Sequence, residues 1–295
     1  MDGIIVIYKE KGYTSHDVVA KLRGILHQKK IGHTGTLDPE AEGVLPVCLG
    51  KATKLCEMVT DHAKEYRAVM RLGVATDTED MTGTVVETLP VTCTEADIRR
   101  VLASYEGGYD QIPPMYSAIK VDGKKLYQLA RAGKEIERQP RHVEIRSIDA
   151  ISIEPEGETP RVEMQVACGK GTYIRSLCRD IGRDLETCAA MESLVRTRVG
   201  VFDLEDAVTL GRVAEAAAAG DSERYLVPIR RLLSDLPVFT CDPEHDLYLK
   251  NGNKLQLSWG QGETGNNTLV LDHAGNVTGI FLRDGDWLKP VKMLL

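Results

Sequence analysis

The chain opens on Ile4-Ile5-Val6-Ile7-Tyr8, an unbroken apolar run that predicts a first β-strand. The run is too short for the core of a secretory leader, and no basic region precedes it. Ser15 stands at a predicted N-cap with Asp17 in the first turn, and Val18, Val19, Leu22, Ile25 and Leu26 then share one helical face. Over residues 31–50 the periodicity is lost. Gly32, Gly35, Pro39, Gly43, Pro46 and Gly50 predict a loop there whose backbone conformation matters. Lys51 to Val59 suits a short helix. Tyr66, Ala68, Met70 and Leu72 alternate with Arg67, Val69 and Arg71, the pattern of a half-buried strand.

Thr94 and Asp97 have capping-box spacing ahead of a helix bearing Ile98, Val101, Leu102 and Tyr105. Pro113-Pro114 imposes an extended entry into Met115–Val121, and Asp122-Gly123 signals a turn. Val162, Met164, Val166 and Cys168 alternate as a strand that ends in Gly169-Lys170-Gly171. Ile174, Leu177, Cys178, Ile181 and Leu185 then take helical spacing. Strands and helices mix without regular βαβ alternation, which predicts an α+β fold on a mixed, mostly antiparallel sheet. Residues 209–234 read as helical, including Ala216–Ala219 ended by Gly220. Beyond Pro237, short strand candidates lie between Asn251-Gly252, Gly260, Gly262, Gly265, Gly275 and Gly285. The expected division is a larger domain over 1–236 and a small β-rich one over 237–295.

Composition narrows the class. In 295 residues, 42% apolar and 27% charged describe an ordinary globular mixture rather than a collagen or a disordered tail. No apolar run approaches the ~18 residues of a membrane span. Seven cysteines, with no Cys-x-x-Cys pair, and seven histidines without ligand spacing argue against a disulfide framework or a zinc site. The thiols are expected to be small core residues in a reducing cytoplasm. A net charge of −7 opposes phosphate. Its distribution does not. Residues 1–36 hold six basic against three acidic groups and residues 118–146 eight against four, whereas 37–117 hold seven against fourteen and 201–295 nine against fourteen. Two basic segments thus stand apart from the acidic ones and are suited to an RNA backbone.

The candidate chemistry lies in Gly32-His33-Thr34-Gly35-Thr36-Leu37-Asp38-Pro39-Glu40-Ala41-Glu42-Gly43-Val44-Leu45-Pro46. Spacing alone describes a surface turn with one histidine and three acids, and Gly32-His33-Thr34-Gly35 also matches the short Gly-x-x-Gly clamp of KH domains. Neither a phosphate-loop nor a dinucleotide-binding glycine pattern occurs. Asp77, Glu79 and Asp80 lack the spacing of a calcium loop and read as a hairpin turn. Arg175, Arg179 and Arg183 recur at i, i+4 and i+8. They face either an anionic partner or their neighbours Asp180, Asp184 and Glu186.

The stretch GHTGTLDPEAEGVLP resembles the catalytic motif of the bacterial tRNA pseudouridine synthases that modify uridine 55 in the T-arm. Four further blocks agree in order: Lys9-Glu10-Lys11-Gly12-Tyr13-Thr14-Ser15, Lys64-Glu65-Tyr66-Arg67, Gln111-Ile112-Pro113-Pro114-Met115-Tyr116-Ser117-Ala118 and Gly169-Lys170-Gly171-Thr172-Tyr173-Ile174-Arg175. The first departs from the family's usual Lys-Pro at Glu10. The tail resembles the PUA-type RNA-binding domain that often follows. The resemblance implies a pseudouridine synthase fold and a reaction without cofactor or metal. The uracil–ribose C–N bond breaks, the base rotates, and it rejoins through carbon.

The resemblance also implies roles. Asp38 matches the essential aspartate, Arg175 the arginine that pairs with it, and Tyr66 the ring that stacks on the target base. Tyr173 and Leu194 match positions lining the uracil pocket, and His33 matches a residue that fills the space left by the flipped nucleotide. The implied partner is the tRNA T-arm stem-loop, with no membrane and no obligate protein partner. Three other readings are a non-catalytic RNA-binding or RNA-folding protein, a synthase of this fold for another RNA, and an N-glycosidase using Asp38 and Glu40. The last is disfavoured because a glycosidase pair stands ~5–9.5 Å apart across the bond, and two residues of one proline-containing loop are poorly placed to do so.

Overall fold

The computed structural model describes residues 1–60, 62–121, 123–154 and 159–295. The first apolar run forms strand β1 (Gly3–Lys9). Helix α1 (Ser15–Ile25) follows, capped by Thr14 rather than Ser15. Thr14 Oγ1 accepts the Asp17 N–H at 3.1 Å while Asp17 Oδ2 accepts the Thr14 N–H at 2.9 Å, a closed capping box. Ser15 is buried, and its hydroxyl is engaged by the loop ahead.

Strand β2 (Ile31–His33) and strand β3 (Glu42–Leu49) occupy much of the segment expected to be a loop, so only residues 34–41 are irregular. Tertiary burial overrides the glycine and proline signals there. β3 is flanked by β1 along its whole length on one side and by β2 on the other. Pro46 turns its carbonyl to the Thr34 N–H at 3.1 Å, so its missing N–H points to the side where the β2 pairing has already stopped at Val47. Strand β4 (Lys64–Leu72) buries alternate residues as its pattern predicts.

The main sheet runs β1, β3, Ala189–Val199, β4, Arg161–Cys168, Ile145–Glu154. Neighbours are antiparallel except β3 and the 189–199 strand, which run parallel at Val195↔Glu42 and Arg196↔Gly43. Helices Glu95–Ser104 and Ile174–Asp184 cover one face, packing Ile98, Leu102, Ile174, Leu177 and Ile181 on Ala68, Met70 and Met164. The Thr94 capping box is present as expected. Residues 209–234 are less helical than their pattern. One helix, Leu210–Ala218, ends before Gly220 (φ +78°), and a short turn of helix resumes only at Ile229 after Pro228. Between them Val227 pairs with Ile4 along the β1 edge, as Val208 does with Ile7 farther on, covering an edge that would otherwise be open. Residues 115–119 are irregular, and Lys120–Val121 pairs with Lys124–Lys125. The expected turn residue Asp122 lies outside the described residues.

A second, six-stranded sheet spans Val238 to Met293. Its Leu269, Leu271, Ile280 and Leu294 share one core with Ile4, Val6 and Val44. Ile5 and Ile7, on the opposite face of β1, pack against Val18, Leu22 and Val213. β1 is thus buried on both faces, which explains its continuous apolar run.

Candidate active site

Residues 34–41 present Asp38 from a backbone pinned at every step. The buried Thr34 anchors the start, donating both N–H and hydroxyl to the Pro46 carbonyl at 3.1 and 3.2 Å. The Leu37 N–H donates to Ser15 Oγ at 2.9 Å, and its side chain enters the core that holds Tyr66, Ile174 and Leu194. Past the acid, the Pro39 carbonyl accepts both the Gly12 N–H at 3.0 Å and the Lys9 ammonium at 3.0 Å. The Lys9 ammonium also donates to the Tyr13 and Glu10 carbonyls at 2.7 and 3.1 Å. The carbonyl of Glu10, which stands where the resemblance leads one to expect proline, is therefore tied down.

The Asp38 side chain is 41% exposed, open to a ligand on one side. On the other, Oδ2 lies 3.0 Å from Arg175 Nε. Arg175 is buried in the first turn of the 174–184 helix and donates to the Thr78 and Tyr116 carbonyls at 3.0 and 2.9 Å. Asp80 Oδ2 stands 3.9 Å from the same Nε, and its Oδ1 accepts Thr78 Oγ1 at 2.8 Å and the Thr82 N–H at 3.0 Å. The acidic turn does join the short strands Val74–Thr76 and Val85–Thr88, as its hairpin reading requires. It also supplies the wall behind Arg175, a role its local sequence does not signal. Glu79, at φ +64°, accepts Ser176 Oγ at 2.6 Å and pairs with Arg179. Arg179 further meets Asp180 at 2.9 Å, and Arg183 meets Asp184 at 3.2 Å. Of the two readings of the arginine row, Arg179 and Arg183 follow pairing with the protein's own acids, while Arg175 reaches Asp38.

Tyr66 sits on β4 directly opposite Arg196, its ring buried and its hydroxyl bonded to that guanidinium. Burial raises the Tyr66 hydroxyl above its ordinary pKa of 10.0, and the Arg196 charge opposes the rise. Tyr173, half-buried just before the helix, is bracketed by Gln111. Its N–H donates to Gln111 Oε1 at 2.9 Å and its carbonyl accepts Nε2 at 3.0 Å. Burial raises the Tyr173 hydroxyl as well, against the pull of Ser117 and nearby arginines, and the Asp38 carboxylate acts on both tyrosines. Leu194 is buried two residues before Arg196, in contact with the same core as Leu37 and Tyr66. His33 ends β2, its ring edge-on to His16 at 5.1 Å. Burial pushes its imidazole down to about 4, so it is neutral at pH 7, and Nδ1 is buried without a protein partner.

The fold thus sets Arg175 against Asp38, buries Tyr66 and Leu194 in the core that Leu37 enters, and places Tyr173 at the start of the Arg175 helix, with His33 just ahead of the loop. Sequence reasoning places Ser15 at a helix cap and Asp80 in a turn, and assigns neither these nor Lys9 and Arg196 to the site. The 189–199 strand carries Glu192, Arg196 and Arg198, and the one local signal of an inward-facing charge is that Arg196 falls on the same face as Leu194.

A family model described as the N-terminal domain of TruB family pseudouridylate synthases matches residues 23–174, and one described as the tRNA pseudouridylate synthase B C-terminal domain matches 175–236. The tRNA pseudouridine synthase B of Lachnoclostridium phytofermentans is 50% identical, over the full length of both chains. The Bacillus subtilis protein of that name is 42% identical over 100% of this chain and 98% of its own. Among solved structures, a Cbf5–Nop10–Gar1 complex is similar at 27% identity and a TM-score of 0.76, covering 99% of this chain and 85% of the other. The fold is also shared with an H/ACA ribonucleoprotein bound to a substrate RNA containing 2′-deoxyuridine, at 24% identity, a TM-score of 0.75 and the same coverage. With two matching family models and full-length relatives of this similarity, the chain belongs to the TruB family of pseudouridylate synthases.

Proposed function

We propose that this protein isomerises uridine 55 in the T-arm of tRNA to pseudouridine, with Asp38 as the carboxylate on which cleavage of the C–N bond depends. The observation that carries this reading is the Asp38–Arg175 ion pair at 3.0 Å, formed between two elements far apart in sequence and left open on its outer side. Family membership and the names of the full-length relatives support the reaction class and the tRNA substrate.

A uridine in a folded loop is stacked and must be extruded, at a cost of a few kcal/mol. Tyr66 and Tyr173 offer aromatic faces to recover it, each worth ~1–3 kcal/mol of stacking. A neutral His33 can occupy the vacated place without bringing a second charge near Asp38. Once the C–N bond is broken, the uracil turns in the pocket between Tyr66 and Leu194 and rejoins the sugar through C5, which then loses its proton. Atoms are conserved, so product and substrate have equal mass.

The basic 118–146 segment lies beside the opening, with Arg138 donating to the Pro113 carbonyl at 3.1 Å and Lys120, Lys124, Arg131 and Lys134 exposed, a surface suited to phosphate. We assign residues 1–236 to catalysis and 237–295 to a PUA-like RNA-binding domain. Among the described residues no helix is long and apolar enough to cross a membrane. With tRNA as substrate, we place the protein in the cytoplasm.

The test is incubation with an unmodified tRNA transcript followed by chemical mapping of pseudouridine. Product is expected at the T-loop uridine and at no other position. Asp38→Asn is expected to abolish it while leaving tRNA binding within about threefold. Retained turnover would remove Asp38 from the chemistry, and free uracil in place of an unchanged tRNA mass would indicate hydrolysis.

A further inference from the structure

Arg196 is among the largest fully buried side chains in the protein, and among the described residues no carboxylate lies within ion-pair distance of it. Its guanidinium donates through Nε to the Val44 carbonyl at 2.8 Å, through Nη2 to Gly35 at 3.2 Å and through Nη1 to Thr36 at 3.4 Å. It also bonds the Tyr66 hydroxyl. Every partner is neutral, so only four hydrogen bonds offset the cost of removing this charge from water. A packed apolar residue of like volume would be at least as stable there. The partners are not scattered. Gly35 and Thr36 precede Asp38 by three and two residues, Val44 follows the loop, and Tyr66 is the ring across the pocket. A register shift between Arg196 and Arg198 lets the strand turn back into its pairing with β4 just beyond this point.

We propose that Arg196 is a positioning residue for the isomerisation, a single rigid fork that sets the backbone presenting Asp38 and the Tyr66 hydroxyl at a fixed separation. It touches neither the Asp38 carboxylate nor, by its burial, the substrate. Its contribution is therefore geometric and distinct from that of Arg175. The proposal rests on the function proposed above.

The test compares wild type with Arg196→Lys and Arg196→Met on an unmodified tRNA transcript, with thermal melting as the folding control. Lysine keeps the charge but carries only three donors, all on one nitrogen, and cannot hold the Val44, Gly35 and Thr36 carbonyls and the Tyr66 hydroxyl at once. Both variants are expected to fold, and kcat is expected to fall about 100-fold while KM stays within about threefold. The alkaline limb of the rate profile should move, because the charge facing Tyr66 changes position. In a Tyr66→Phe background the additional loss from Arg196→Lys should shrink, since one of the two groups it aligns is gone. Folded variants with wild-type kcat would overturn the proposal, as would a loss confined to tRNA affinity. Loss of folding in both variants would also overturn it, by making Arg196 a general requirement of the core. A wild-type protein inactive on every transcript would fail the function itself, and the proposal with it.

Discussion

The two walls of the site are charged in opposite ways. On the helix side, Arg175, Arg179 and Ser176 meet Asp38, Glu79, Asp80 and Asp180, so each buried or half-buried cation has an anion at hand. Beneath the loop, Lys9 and Arg196 are both fully buried and bond only carbonyls and a tyrosine hydroxyl. In the paired wall the attraction between cation and anion, with the added hydrogen bonds, offsets much of the cost of desolvating both. The unpaired floor is costly. Burial drives the Lys9 ammonium down to about 8 although Asp38, Glu40 and Glu42 all pull it upward, and it lowers Arg196 too. What the floor supplies is a backbone held by charge-assisted bonds and two positive charges beneath the one carboxylate the reaction needs.

The largest test of this contrast is Gly43→Ala. Gly43 sits at φ +104°, and a Cβ there would lie 2.2 Å from the Arg196 carbonyl oxygen, backbone against backbone. The substitution must push β3 off the 189–199 strand and carry Arg196 away from the loop, while the helix-side ion pairs are untouched. A loss of about 4 kcal/mol or more is expected in denaturant unfolding, and a change under about 1 kcal/mol would show that the floor does not depend on this approach.

Lys9→Met gives a smaller effect with a definite sign. The folded pKa of about 8 lies below the ordinary 10.5, so below pH 8 both folded and unfolded chains hold the proton and the folded state bears the full cost of the buried charge. Between about pH 8 and 10.5 the folded chain releases the proton while the unfolded chain keeps it, so this group's contribution to stability rises with pH. Measured as wild type minus Lys9→Met, unfolding free energy should climb by on the order of 1–2 kcal/mol between pH 7 and 10. A flat or falling difference would mean that the floor carries no penalty. The smallest effect belongs to the outer rim of the paired wall. Arg183 is 69% exposed, and Arg183→Ala should shift stability by no more than about 0.5 kcal/mol. A larger loss by thermal melting would extend the network beyond Arg179.

What the sequence disclosed follows the range of each interaction. The Thr94 capping box and the alternation of β4 and of 161–168 are local patterns, and each is legible from a few residues. Thr14 and Ser15 are both suitable caps; the spacing of Thr14 to Asp17 closes a capping box locally, while the Ser15 hydroxyl is taken by Leu37, 22 residues on. β3 reads as a loop because glycine and proline signals are local, whereas its strand state is imposed by two flanking strands. Asp38, Arg175 and Tyr66 stand out through motif blocks. Asp80 does not, because its partner is 95 residues away, and Arg196 carries no motif at all until the fold sets it opposite Tyr66.

The two-sided burial of β1 has a consequence for how the chain is made. Its Ile4 and Val6 face Leu269, Leu271 and Ile280, which leave the ribosome about 260 residues later. At ~5–20 residues per second that is roughly 13–50 seconds during which this face of the first strand is covered only by earlier members of the same core, such as Ala52, Leu55 and Phe202. The opposite face gains Val18 and Leu22 almost at once and Leu210 and Val213 about 200 residues later. The first strand is therefore among the last elements to be fully enclosed, on both faces, which makes it a natural place for a chaperone to act during synthesis.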